Sequence, residues 1–140
     1  MPTSHPSLTL TLLQAREAAM SFFRPSLNQH GLTEQQWRII RILQQSHEME
    51  IHQLARQACI LKPSMSGVLS RMERDGMVRR WKVPQDQRRV YVSLTDQGQQ
   101  SYVSMNQDVE RNYNLILEQF GEKKLQMLLS LLNEFRQLKP

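Results

Sequence analysis

Three features of the 140-residue chain predict a mostly α-helical protein with a small antiparallel sheet of two or three strands. Apolar residues recur at helical spacing through most of the length. Glycines and prolines fall at the seams between those stretches. One segment, from Met77 to Leu94, shows hairpin patterning instead.

The first helix is predicted from Leu8, Leu12, Ala15, Ala19 and Phe22, whose spacing places them on one face, while Leu13, Met20, Phe23 and Leu27 widen that face. Pro25 should kink this helix, because a proline removes a hydrogen bond from a helix interior. After a break at Gly31, Thr33-Glu34-Gln35-Gln36 reads as a capping box opening a second helix with Trp37, Ile39, Ile40, Ile42 and Leu43, which fades near Ser46. Met49–Ile51 is a candidate short strand. A brief helix buries Ile51, Leu54, Ala55 and Ala58, and a tight turn at Ile60–Lys62 follows. Pro63 then suits the first turn of a helix that buries Met65, Val68, Leu69 and Met72 and stops at Gly76. In the hairpin, Val90, Val92 and Leu94 alternate with Arg89, Tyr91 and Ser93, and its partner strand lies around Met77–Val83. Thr95-Asp96 opens a helix with the stripe Tyr102, Met105, Val109, Tyr113, Ile116 and Phe120. Gly121 breaks it, and a last helix carries Leu125, Leu128, Leu129, Leu132, Phe135 and Leu138.

Two short helices joined by a tight turn and followed by a hairpin make a winged helix-turn-helix, expected over residues 31–95. Residues 1–30 and 96–140 are then a helical dimerisation region, because their helices carry more apolar surface than one seam can bury.

Charge gives this unit a function. Residues 62–89 hold eight Lys/Arg (Lys62, Arg71, Arg74, Arg79, Arg80, Lys82, Arg88, Arg89) against three acids (Glu73, Asp75, Asp86). That excess equals the formal net charge of +5 for the whole chain. A positive field on one helix and hairpin suits a polyanion such as double-stranded DNA. The later helix is the expected reader, its N-terminus aimed at phosphates and its short side chains, Pro63, Ser64, Ser66, Gly67 and Ser70, allowing close approach. Arg71 is a candidate for bidentate pairing with guanine, or else for an ion pair with Glu73 or Asp75. At the hairpin tip Arg88 and Arg89 suit a minor groove, with Asp86 holding Arg88 in place; Arg79, Arg80 and Lys82 are expected on phosphates.

Other classes are disfavoured. His5, His30, His47 and His52 have no metal-motif spacing, and no phosphate loop or nucleophilic triad is present, so no enzyme, metal or cofactor is expected. The absence of an eighteen-residue apolar run argues against a membrane span, and the start lacks the basic region of a secretory signal. The single cysteine, Cys59, fits a reducing cytoplasm and is expected to be a buried, inert filler.

Ser64-Met65-Ser66, Arg71 through Val78, Asp86-Gln87-Arg88-Arg89 and Ser93-Leu94-Thr95, together with Leu32 through Arg38, resemble the MarR family of dimeric winged-helix transcription factors. Leu12 through Met20, Phe22 through Pro25 and Ala58 through Ser64 further resemble its homoprotocatechuate-degradation regulator branch. Gly67 departs from many members, which carry a longer polar side chain there. The resemblance implies a homodimeric repressor on a pseudo-palindromic operator, released by a small aromatic carboxylic acid such as 4-hydroxyphenylacetate. In such relatives the ligand lies against the second helix, which implicates Trp37, Arg38 and Arg41, with Met20 and Phe23 as ring-facing walls. Arg16 stands among Leu12, Leu13, Ala15, Ala19 and Met20; a buried guanidinium there would need a carboxylate partner, either a ligand or Glu17, unless the residue is simply exposed. A redox-sensing regulator acting through Cys59 is the alternative that the same family implies.

Overall fold

The computed structural model describes residues 4–140, which form seven helices and one three-stranded antiparallel sheet. The helices are α1 (Leu8–Ser21), α2 (Arg24–Gln29), α3 (Glu34–Ser46), α4 (Ile51–Ala58), α5 (Lys62–Arg74), α6 (Asp96–Phe120) and α7 (Glu122–Phe135). The strands are β1 (Glu48–Glu50), β2 (Val78–Val83) and β3 (Asp86–Leu94), in the order β1-β3-β2. The chain divides into two compact units, one of Ser26–Gln107 and one of the segment up to Pro25 with Asp108–Pro140.

Ser26–Gln107 holds a core in which Ile39, Ile40, Leu43, Leu54, Leu69, Met72, Val92 and Met105 are wholly buried. Burying an aliphatic side chain of this kind contributes about 1.5–3 kcal/mol, so this cluster fixes the helix-turn-helix and the sheet behind it. The capping box forms as expected: Gln36 N–H donates to Thr33 Oγ1, and Thr33 N–H donates to Gln36 Oε1, both at 3.1 Å. Trp37 is buried and stacks on Tyr102, ring centroids 5.7 Å apart.

Three helices end in one way. Gly31, Cys59 and Gly76 have φ of 67°, 55° and 78°. After each, a buried apolar residue donates its N–H to a carbonyl five residues back: Leu32 to Leu27, Ile60 to Ala55 and Met77 to Met72. This left-handed stop satisfies carbonyls that a helix end would orphan. Cys59 is the costly member, since a non-glycine residue strains there, and its position corrects the expectation of a buried thiol. It is exposed, because the chain reverses at its Cα and only Ala58 and Ile60 on either side turn inward.

Three other expectations change. Pro25 does not kink a continuous helix. It sits in the first turn of α2, and α1 ends at Ser21, whose carbonyl a proline four residues later cannot bond. Phe22 and Phe23 make the break, and Arg24 pairs with Glu17 through two contacts, at 2.8 and 2.9 Å. Ser93 does not face solvent with Arg89 and Tyr91; β3 is the central strand, and Ser93 is buried beneath Arg79, which donates its Nε–H to the Ser93 hydroxyl at 3.2 Å. The hairpin tip is only Pro84 and Gln85, so Asp86, Arg88 and Arg89 lie on β3 itself.

In the unit of the terminal segments, α1 has no buried residue and α7 has only Leu125. Leu13, Leu115, Met127 and Leu131 are about half exposed or more. No helix among the described residues is long and apolar enough to cross a membrane.

Two helical glycines should respond oppositely to alanine. A Cβ on Gly98 would stand 2.2 Å from the Met77 carbonyl oxygen, a backbone atom that cannot step aside. A Cβ on Gly67 would meet only Arg71 Nη1, at 3.7 Å. Urea unfolding should show Gly98→Ala losing about 2–3 kcal/mol and Gly67→Ala gaining about 0.5–1 kcal/mol.

Candidate nucleic-acid interface

The reading helix of the sequence is α5, and the structure presents its polar face outward. Met65, Val68, Leu69 and Met72 turn into the core, which leaves Pro63, Ser64, Ser66, Gly67, Ser70 and Arg71 exposed. Four of these six side chains are serine or glycine at that face, so little separates the helix backbone from what approaches it. Leu61 caps the helix without a side-chain bond, Pro63 has no N–H, and the Ser64 and Met65 N–H groups donate to the Leu61 carbonyl at 2.9 and 3.1 Å. The helix N-terminus therefore offers an approaching anion its dipole and the Lys62 side chain more than free amides. Leu61 itself is 78% exposed, an apolar side chain beside the polar surface that composition alone did not single out. Arg71 forms no ion pair among the described residues, because Glu73 pairs with Arg80 and Asp75 with Arg74.

The hairpin carries the second set of cations. Arg88 is 94% exposed, and Asp86 holds it from two sides: Asp86 Oδ1 accepts the Arg88 backbone N–H at 3.0 Å and lies 3.5 Å from its Nε. Asp86 therefore limits the swing of one arginine while leaving its guanidinium in solvent. On the sheet face away from the core, Trp81 and Tyr91 are cross-strand partners with centroids 6.2 Å apart. Arg79 lies over the Trp81 ring at 5.0 Å and Arg89 over the Tyr91 ring at 5.8 Å. Cation–ring stacking of this kind orients a guanidinium without discharging it.

Two basic residues expected on phosphates are already engaged. Arg79 is occupied by Trp81 and Ser93, and Arg80 donates to Glu73 Oε1 at 3.1 Å and to Ser70 Oγ at 3.4 Å. Lys82 is exposed. The hydrogen bond from Arg80 holds the Glu73 carboxyl below its usual range.

The expected ligand residues divide. Trp37, Arg38 and Arg41 lie on α3 in the Ser26–Gln107 unit, and Arg16, Met20 and Phe23 lie in the unit of the terminal segments. Arg38 Nε is buried with no hydrogen-bond partner, Arg41 is exposed, and Met20 and Phe23 are partly buried. Arg16 does not carry a buried charge: its side chain is 43% exposed, and Nη1 lies 3.9 Å from Glu17 Oε1. The unsatisfied-guanidinium argument for a ligand therefore passes from Arg16 to Arg38. A cleft of about 230 Å³ is lined by His30, Leu32, Gln97, Gln100, Ser101 and Ser104, none of the residues expected to bind a ligand. Among the described residues no cluster of His, Cys, Asp and Glu is arranged to hold a metal.

Comparison with known proteins decides the family. The MarR family model matches residues 32–90, and the chain is 56% identical over 131 residues to the homoprotocatechuate degradative operon repressor of Escherichia coli, covering 94% of this chain and 88% of that protein. The chain belongs to the MarR family. A solved structure of the transcriptional regulator PA4135 superposes with a TM-score of 0.94 at 74% identity, covering 97% of this chain and all of that one. The structure of NadR in complex with 4-hydroxyphenylacetate superposes with a TM-score of 0.87 at 45% identity, covering 99% and 100%. A MarR-family chain of this kind is a transcriptional regulator and not an enzyme, and the winged helix-turn-helix expected from the sequence is the fold it has.

The Glu73–Arg80 pair sets a pH dependence. Because the folded carboxyl titrates below its unfolded value, the pair stabilises the fold above the ordinary carboxylate range and is lost as pH falls through the depressed value. Stability curves of the wild type and Glu73→Gln should therefore differ at neutral pH and converge in acid, as followed by urea midpoints.

Proposed function

We propose that this chain is a homodimeric cytoplasmic repressor that binds a pseudo-palindromic operator and leaves it when a small aromatic carboxylic acid binds. The observation that carries the reading is the pairing of an exposed, small-residue face on α5 with a hairpin that presents Arg88 held by Asp86. Pro63, Ser64, Ser66, Gly67, Ser70 and Arg71 then face a major groove, and Arg88 and Arg89 an adjoining minor groove. In this reading residues 31–95 bind DNA, and residues 1–30 with 96–140 join the two copies. A helix such as α1 with no fully buried residue in its own chain is marginal by itself, so a second copy supplies its missing cover. Two-fold symmetry places the half-sites about 10 bp apart, one helical turn.

The similarity to a homoprotocatechuate operon repressor and to a protein solved with 4-hydroxyphenylacetate supports an aromatic-acid catabolic operon as the target. Arg38, with its buried unpartnered Nε, is the residue whose chemistry most favours a carboxylate. Trp37 and Arg41 share its helix, and Met20, Phe23 and Arg16 are further contacts in this reading. The ligand acts by population shift: it must bind the DNA-incompetent arrangement better than the competent one, and a preference of about 100-fold, some 2.7 kcal/mol, weakens operator occupancy substantially. The exposure of Cys59 favours a second reading, in which oxidation of that thiol releases DNA.

Arg88→Ala should weaken binding to operator and to unrelated duplex alike and lower the salt slope by about one. An unchanged slope would remove Arg88 from the interface. Titration of an operator complex with 4-hydroxyphenylacetate and with 3,4-dihydroxyphenylacetate should release DNA in the wild type, and the response should be lost in Arg38→Gln. Release by peroxide in the wild type and not in Cys59→Ser, with no response to either acid, would select the redox reading.

A further inference from the structure

Arg80 bonds two residues of the reading helix from the neighbouring strand, and its geometry points away from the phosphate role that its sequence position suggests. It stands on β2 opposite Val92, a wholly buried residue of β3, so it occupies the sheet face turned to the core. Its neighbours Arg79 and Trp81 alternate to the other face. The Arg80 side chain is 24% exposed, against 72% for Arg74 and 94% for Arg88. One nitrogen, Nη2, reaches both Glu73 Oε1 at 3.1 Å and Ser70 Oγ at 3.4 Å, two residues on successive positions of the outer face of α5.

We propose that Arg80 is a positioning residue for DNA recognition, a clamp that fixes the hairpin against the reading helix and so sets the offset between the groups offered to the two grooves. The inference rests on the DNA-binding reading above. Three observations argue for it. The hairpin leaves α5 through Gly76, at φ 78°, and Arg80, four residues beyond it, adds a side-chain tie from β2 back to α5. The lever is long: Arg88 lies four residues along β3 from Val92, about 13 Å at strand rise, so a rotation of about 10° at the clamp displaces the arginine by about 2 Å. A shift of that size breaks a hydrogen bond. Finally, if Arg80 turned outward to a phosphate, it would leave the charged Glu73 bare on α5. The pair is close to neutral as it stands, so it adds little attraction for DNA but much order.

The test uses a duplex selected by the wild-type protein from a random pool, with a scrambled duplex of equal length as reference. Arg80→Ala should lose about tenfold in affinity for the selected duplex, with little change for the scrambled one and an unaltered salt slope. Arg80→Lys should recover part of the loss. Glu73→Gln leaves Arg80 in place and removes an exposed carboxylate, so folding is kept. The clamp requires a lower ratio of selected to scrambled affinity in this variant, and no further fall when it is combined with Arg80→Ala. If Arg80 instead touched phosphate, Arg80→Ala would weaken both duplexes equally and lower the slope by about one, and Glu73→Gln would tighten both without changing their ratio. Either result overturns the clamp. Failure of the wild type to select any sequence would overturn the DNA-binding reading, and the clamp with it.

Discussion

The Thr95 side chain joins three elements at one point. Its hydroxyl donates to the Gly76 carbonyl at 2.5 Å and accepts the Gly98 N–H at 3.1 Å, while its own N–H donates to the Met77 carbonyl at 3.0 Å. Gln97 adds a bond from Nε2 to the Asp75 carbonyl at 3.2 Å. The end of α5, the start of β2 and the first turn of α6 are thus held by backbone groups that leave almost no freedom. Gly98 is glycine because the Met77 carbonyl occupies the space of a side chain. Everything proposed for the interface depends on this joint, since it fixes where the reading helix stops and where the hairpin begins.

From that joint the electrostatic design follows. The cations gathered between Lys62 and Arg89 do not act alike. Arg80 answers Glu73, Arg79 lies on Trp81, and Asp86 steadies Arg88, while Arg71 stays unpaired over the open space beside Gly67. Net charge draws a polyanion without regard to sequence. Discrimination requires that a few of those charges be held in place, and the observed contacts hold most of them from within the fold.

Elements governed by local rules were readable from the chain alone. The Thr33–Gln36 capping box, the stops at Gly31 and Gly76, and the inward faces of α3, α4 and α5 depend on neighbours within a few residues, and they appear as expected. What escaped depends on distant partners. A cysteine in a left-handed stop carries no sequence mark, and the apolar neighbours of Cys59 alone point to a buried thiol. The alternation groups Ser93 with Arg89 and Tyr91, and a strand pattern does not reveal that β3 is central and Ser93 covered. Glu50 ends β1 and also caps α4 by accepting from His52 N and Gln53 N, a second role that its place in a strand pattern does not show. At the site, the exposed face of α5 was legible from its small residues, whereas the pairing of Arg80 required knowing that β2 returns past Glu73. The burial of Arg38 Nε had no sequence signal beyond the general resemblance that named the residue.

The central claim is that two copies of one basic helix-and-hairpin unit read duplex DNA in symmetric register. Selection from a random duplex pool at physiological ionic strength tests it most directly. The account predicts enrichment of an inverted repeat whose half-sites are centred about 10 bp apart, bound about a thousandfold or more tighter than random duplex. Recovery of unenriched sequence, bound no better than the starting pool, would contradict it.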